Sequence, residues 1–253
     1  MLEVVEYYIA PQGEGPNLGR SSLFLRLALC NLRCSWCDSK FTWSKNNPGY
    51  NQFQFYEPDE LVGVLVQYVR EQPVVPRGLV VTGGEPLLYQ RELPYVIGKY
   101  WSTLDQLSLV ELVADAEVET NGTIVPSQGM LELCDFNVSP KLATAGNAKV
   151  PLKVLWNEAA TKAFLKNGAT FKLVVRPDDE VVLMAYLKFL REVANELELK
   201  WASVLDSIYL MPEATTQDEL VARQGYVIEL AQKLGVRVTT RLQVLAFGKE
   251  RRR

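Results

Sequence analysis

The stretch C-N-L-R-C-S-W-C-D, residues 30–38, puts Cys30, Cys34 and Cys37 in one short loop of a chain that contains no histidine. The remaining thiol, Cys134, stands far downstream. A closed zinc site wants four Cys or His ligands and would have to recruit that distant residue. Three closely spaced thiolates suit a 4Fe-4S cluster instead, in which three irons are held by protein and the fourth stays open to a substrate or cofactor. Single buried, unligated cysteines are common in cores. Three of them interleaved with Asn31, Arg33, Ser35 and Asp38 do not make a core pattern. A zinc site and a plain electron-transfer cluster are the other readings.

Working outward, residues 23–29 (L-F-L-R-L-A-L) form a nearly continuous apolar run, as a strand covered on both faces does, and the cysteine loop leaves from its end. A helix over 58–70 follows, started by Pro58, where the missing N–H costs nothing. The pattern then gives a strand over 79–81, a helix over 86–101 interrupted at Pro94, and strands over 117–120 and 136–138. Helices over 158–166, 179–199 and 216–234 alternate with strands over 170–176, 207–211 and 236–245. Alternating β and α units predict an α/β fold, an incomplete barrel of about six or seven mostly parallel strands with helices outside. No linker divides residues 1–253, which read as one domain, with 1–20 outside the repeat.

A chain of 253 residues can bury roughly 70–75% of its unfolded surface and needs no disulfide staples. Its net charge of −3, with mixed signs, leaves no footprint for direct nucleic-acid binding. Lys249, Arg251, Arg252 and Arg253 read as a solvated basic tail. No apolar run approaches the ~18–20 residues of a membrane span, and the N-terminus is acidic where a signal peptide is basic. A cytoplasmic location, where thiols stay reduced and a cluster can be assembled, is expected.

Polar motifs fall at the predicted C-terminal ends of strands: the cysteine loop, T-G-G-E-P (82–86), E-T-N-G (119–122), S-P-K (139–141) and M-P-E (211–213). Each alone could be turn chemistry. Together they mark the edge that carries the active site in parallel barrels. Gly83 and Gly84 would admit a close backbone approach to a ligand, and Glu85 could accept from an amine. An arginine inside an apolar strand, Arg26, calls for a carboxylate partner, either a substrate or a structural ion pair.

The C-x3-C-x2-C loop, with Trp36 before its third cysteine, resembles that of the radical S-adenosylmethionine (SAM) enzymes. Adding Q-G-E-G-P (12–16), F-L-R-L (24–27), C-D-S (37–39) and E-T-N-G-T (119–123) makes the array resemble the 7-carboxy-7-deazaguanine synthase family of the queuosine pathway. That resemblance implies a lyase acting on 6-carboxy-5,6,7,8-tetrahydropterin, with loss of ammonia, to give 7-carboxy-7-deazaguanine, a precursor for tRNA modification. It implies a 4Fe-4S cluster on Cys30, Cys34 and Cys37. SAM would be held by Gly84, Glu85, Thr120, Ser139, Lys141, Met211 and Pro212. Mg²⁺ would sit at Ser39, and the pterin against Pro11, Gln12, Gly13, Glu14, Arg26 and Thr82. A flavodoxin- or ferredoxin-type reductant and a homodimer are expected with it.

Three departures from the family pattern stand out. Ser39 replaces a usual threonine, keeping the hydroxyl a hard cation wants. Ala10 stands where serine is favoured. The stretch R-L-Q-V-L (241–245) lacks the family's histidine, for which Gln243 is the candidate substitute. Cys134, Trp101, Trp156 and Trp201 read as packing residues, and Asp38 as a cluster tuner, a metal neighbour or a loop cap. Two rival functions are a glycyl-radical activase, which Q-G-E-G-P argues against, and an electron carrier, which T-G-G-E-P argues against.

Overall fold

The computed structural model describes every residue except 51, 110–114, 143–144, 148, 249, 251 and 253. Of the basic tail, Lys249, Arg251 and Arg253 therefore lie outside the described residues. The strands are β1 (Leu2–Pro11), β2 (Ser21–Leu27), β3 (Gln54–Tyr56), β4 (Gly78–Gly83), β5 (Asp115–Thr120), β6 (Cys134–Val138), β7 (Thr170–Val175), β8 (Ile208–Pro212) and β9 (Arg237–Val238). Among the described residues they join one open sheet in the order β3-β1-β2-β4-β5-β6-β7-β8-β9. From β2 to β9 every neighbouring pair is parallel. Strands that follow one another in space in chain order put every right-handed crossover on the same side, which is the winding of an unclosed α/β barrel.

The crossover helices include α1 (Pro58–Arg70), α2 (Leu93–Gln106), α5 (Glu158–Lys166), α6 (Glu180–Glu196) and α8 (Gln217–Leu234). Shorter helices are α3 (Gln128–Leu133), α4 (Leu152–Leu155), α7 (Trp201–Leu205) and α9 (Leu242–Phe247). Local chemistry sets their ends. Pro58 occupies the first turn of α1, and Thr216 and Glu219 exchange capping bonds at the start of α8, which Gly235 stops in the left-handed conformation.

Period-two alternation gives the sheet two different faces. Leu23, Leu25, Leu27, Leu79, Val81, Val118, Phe136, Phe171, Leu173 and Leu210 belong to the main core with the helices. Cys134, Trp101, Trp156 and Trp201 are in or against the same core. The intervening residues, among them Arg26, Thr82, Glu117, Glu119, Asn137 and Lys172, face the other way and form a charged interior.

The N-terminal region finds its place in the sheet, and two expectations change. Residues 1–20 stand outside the alternating β/α units yet join the sheet: β1 extends it, antiparallel to both β2 and β3. The helix expected over 86–101 divides into a 3-10 turn, Pro86–Tyr89, and α2, because Pro94 is confined to a first helical turn and so starts a helix rather than interrupting one. The strand expected over 236–245 ends after Val238. Thr239 turns inward to accept from the Gly15 amide, Leu242 N–H donates to the Gly13 carbonyl, and the chain leaves the sheet to form α9.

Candidate active site

Strand β2 delivers the cysteine loop, and β4 clamps its root. Gly84 N–H donates to Leu27 O at 3.0 Å and Glu85 N–H to Leu29 O at 2.8 Å. A methyl group on Gly84 would lie 1.6 Å from Leu29 O, and one on Gly83 2.1 Å from Leu27 O. The two glycines thus permit a close approach of the chain to itself, at the point where the cysteine loop begins. Both also line the cavity described below.

Each cysteine sulfur has an N–H donor. Leu32 N–H reaches Cys30 Sγ at 3.4 Å, Asn147 Nδ2 reaches Cys34 Sγ at 3.1 Å, and Trp43 Nε1 reaches Cys37 Sγ at 3.4 Å. Asn121 and Thr123, from the E-T-N-G-T turn, hold the loop through Asn31: Asn121 Nδ2 donates to Asn31 Oδ1 at 2.8 Å and Asn31 Nδ2 to Thr123 Oγ1 at 2.7 Å. Burial pushes the Cys30 thiol up to about 11 and raises Cys37 as well. Thiols so placed become thiolates when a metal binds. Among the described residues no three Cys, Asp or Glu side chains converge on a point as a single ion requires. The three cysteines instead line one cavity. A 4Fe-4S cluster, which offers a separate iron to each sulfur, suits three N–H-supported thiols lining one cavity.

The cavity has a volume of about 520 Å³. Cys30, Cys34 and Cys37 line it together with Pro11, Gln12, Gly13, Glu14, Arg26, Ser39, Thr82, Gly84, Thr120, Ser139, Lys141 and Met211. Fifteen of the seventeen site residues expected from sequence thus share one cavity. Glu85 and Pro212 stand behind its wall. The fully buried Glu85 carboxylate accepts from Leu87 N at 3.0 Å, Thr120 Oγ1 at 2.7 Å and Asn121 N at 2.7 Å, so it ties the ends of β4 and β5 together. Lys141 Nζ donates to Ser139 Oγ at 2.8 Å and stands 5.5 Å from the Trp36 ring centre, within cation–π range.

Arg26 already has partners. Its Nε pairs with Glu6 at 2.9 Å, Nη2 donates to Tyr8 OH at 3.0 Å, and Nη1 reaches Ser39 Oγ at 3.4 Å. Thr82 Oγ1 donates to Glu119 at 2.8 Å. Ser39 Oγ donates to Asp38 at 3.0 Å. Burial would raise Asp38, but Arg241, with Arg26 behind it, holds the carboxyl below its ordinary value.

Sequence reading passed over the ionic framework under the cavity. Gln12 Nε2 donates to Glu117 at 2.8 Å, and Asn17 Nδ2 to the other oxygen at 2.6 Å. Burial first, then Glu119, raises the Glu117 carboxyl. Lys172 Nζ meets Glu14 at 2.6 Å and Glu119 at 3.4 Å, and Arg241 Nε meets Glu14 at 2.9 Å. The signal was available: Glu117, Glu119, Asn137 and Lys172 are polar residues at every second position of otherwise apolar strands.

Comparison with known proteins identifies the family and the fold. Residues 12–153 match the family model described as a 4Fe-4S single cluster domain. The 7-carboxy-7-deazaguanine synthase of Pyrobaculum aerophilum is 31% identical over 252 residues, spanning 99% of this chain and 96% of its own. Among solved structures, QueE from Escherichia coli superposes with a TM-score of 0.58 at 21% identity, over 95% of this chain and 94% of that one. Native anSMEcpe with bound AdoMet superposes at 0.52 with 15% identity, over 88% of this chain and 65% of that one. These two likenesses bear on the fold. With the cysteine loop, the open parallel sheet and the full-length relative in agreement, the chain belongs to the 7-carboxy-7-deazaguanine synthase family of radical SAM lyases.

Proposed function

We propose that this protein converts 6-carboxy-5,6,7,8-tetrahydropterin to 7-carboxy-7-deazaguanine with loss of ammonia, in the queuosine pathway. The observation that carries the reading is the shared cavity: the three cysteines and the Gln12–Glu14 turn, contributed by separate parts of the chain, line the same space.

Cys30, Cys34 and Cys37 would hold the 4Fe-4S cluster. Gly84, Thr120, Ser139, Lys141 and Met211 would border SAM, with Glu85 and Pro212 supporting them from behind. When bound, cluster and SAM would supply one-electron reductive chemistry and the means of abstracting a hydrogen atom from the pterin. The chain's own contribution is position and exclusion of water. Gln12, Gly13 and Glu14 would border the pterin with Pro11, and Thr82 would bond its ring. Arg26 would turn toward the substrate carboxylate the fork that now meets Glu6 and Tyr8. Ser39 would offer its hydroxyl to Mg²⁺, beside Asp38.

One domain spanning 1–253, a cytoplasmic location and a flavodoxin- or ferredoxin-type reductant complete the proposal. Among the described residues no helix is long and apolar enough to cross a membrane. Exposed Val181 and Met184 on α6 and Val221 and Ile228 on α8 are apolar side chains that a second copy in a homodimer would cover. The deciding experiment is anaerobic incubation of reconstituted protein with SAM, reductant and the carboxypterin, read by mass spectrometry. Formation of the deazaguanine acid supports the proposal; SAM cleavage without it, combined with radical transfer to a partner protein, would replace it with the activase reading.

A further inference from the structure

Arg241 stands one residue before α9 and opens the R-L-Q-V-L stretch, and its guanidinium joins three motifs from other parts of the chain. Nε donates to Glu14 Oε1 at 2.9 Å, in the Q-G-E-G turn. Nη2 donates to Asp38 Oδ2, directly after Cys37, and Nη1 donates to the carbonyl of Ala214, directly after M-P-E. The side chain is buried, with 11% of its surface exposed. The neighbouring backbone fastens the same turn, because Leu242 N–H donates to Gly13 O at 2.9 Å and Gln243 Nε2 to Glu14 Oε1 at 2.8 Å. The other oxygen of Glu14 is taken by Lys172.

We propose that Arg241 is a positioning residue that locks the substrate turn to the cysteine loop, so that a pterin bound at the turn is held in register with the cluster side of the cavity. The inference rests on the function proposed above. Its physical basis is the shape of the guanidinium. A planar fork carries donors in fixed, divergent directions and can meet two carboxylates and a carbonyl at once, whereas an ammonium on a flexible stem gives a single point of charge. Without the fork, Glu14 keeps Lys172 and Gln243, while Asp38 keeps Ser39. Each loop remains attached to its own strand, but the tie between them is gone. A displacement of about 1 Å between donor and acceptor is enough to cost on the order of a hundredfold in a reaction that depends on near-attack geometry.

The test compares wild type with Arg241→Gln and Arg241→Lys in two measurements. The first is hydrogen exchange of the reconstituted protein without pterin. Both variants should exchange faster in residues 12–19 and 34–43 together, with iron content retained; protection of the two segments unchanged, or lost in one alone, would overturn the proposal. The second is the ratio of 5′-deoxyadenosine to deazaguanine product. With SAM regenerated, wild type should form more product than deoxyadenosine. The variants should reverse that ratio and raise the pterin KM roughly tenfold, the scale of one charge-assisted hydrogen bond. An equal loss of both compounds, at an unchanged ratio, would mean that Arg241 only supports the fold. If wild type makes no product from the pterin, the functional reading fails and the exchange measurement still judges the lock. Should Arg241→Gln not fold, Arg241→Lys, which keeps the charge and loses the fork, carries both comparisons.

Discussion

Asn147 donates its side-chain amide to Cys34 Sγ at 3.1 Å while its carbonyl oxygen accepts Arg33 N–H at 2.9 Å, so one residue both supports a candidate ligand and fixes the backbone beside it. Hydrogen bonds to cluster sulfurs favour the reduced, more negative state. Asn147→Leu should lower the cluster's midpoint potential by roughly 20–60 mV, taking ~0.5–1.5 kcal/mol per bond and 59 mV per ~1.4 kcal/mol for one electron. A redox titration followed by electron paramagnetic resonance measures it. An unchanged or raised potential would remove Asn147 from the cluster's surroundings.

Two glycines of the site should respond differently to the same substitution. A methyl group on Gly13 would lie 1.9 Å from Gln243 Oε1, the end of a flexible side chain, whereas on Gly84 it would meet the Leu29 backbone carbonyl. Gly13→Ala should therefore raise the pterin KM and be largely rescued by Gln243→Ala. Gly84→Ala has no neighbour that can give way; it should cost ~3 kcal/mol or more and lower iron loading. A double-mutant cycle on KM and urea unfolding separates the cases. Failure of Gln243→Ala to rescue Gly13→Ala would show that the glycine is needed for contact with the ligand itself.

Glu14 should make the protein sensitive to acid. Burial opposes its ionisation, yet Lys172 and Arg241 outweigh that and hold its carboxyl well below the ordinary 4.5. A depressed carboxyl stabilises the fold fully above its unfolded value, and the contribution is lost as pH falls through that value toward the folded one. Unfolding free energy should thus drop below pH ~4.5 in wild type. Glu14→Gln should be less stable by about 3 kcal/mol at neutral pH, leaving two buried cations short of a partner, and show a shallower acid decline. Glu117, whose carboxyl is raised, acts in the opposite sense, losing stability as pH rises above its ordinary value. The difference between Glu14→Gln and wild type isolates Glu14. Parallel pH curves would refute the assignment.

Ser39→Ala should weaken Mg²⁺ stimulation of turnover while leaving iron content and substrate-free SAM cleavage intact. The hydroxyl lies between the Asp38 carboxylate and the Arg26 guanidinium, 3.4 Å from the latter, so a cation there must displace or outcompete that arginine. Turnover measured across a Mg²⁺ titration decides it, and an unaltered dependence moves the metal elsewhere.

The parallel sheet was legible because apolar runs ending in polar punctuation repeat along the chain, and the rim motifs sit where each run stops. The N-terminal edge was not, since β1 finds its partners only through the tertiary pairing of Leu2–Pro11 with β2 and β3. At the C-terminus, R-V-T-T-R-L-Q-V-L carries enough β-branched residues to read as a long strand. What ends it at Val238 is the inward pull of Thr239 and Arg241 toward Gly15 and Glu14, contacts more than 200 residues apart in sequence. The cluster loop and most of the cavity lining were readable as motifs; alternation marks Glu117 and Lys172 as inward polar positions but does not name their partners, which lie on other strands or loops, and Arg241 has no such pattern around it.

The sheet's two faces also bear on how such a protein can change. Packing with the helices is carried by one set of alternate positions and cavity chemistry by the other, so mutation can revise the two under separate constraints. Near the rim, at Thr82 or Met211, an altered side chain changes the cavity wall without entering the helix-packed core. Deeper on the same face, Glu117 and Lys172 are as buried as core leucines, and each can be replaced only together with the partners that neutralise or solvate it. New ligand preferences should therefore arise first at strand ends, with the ionic floor inherited as a block.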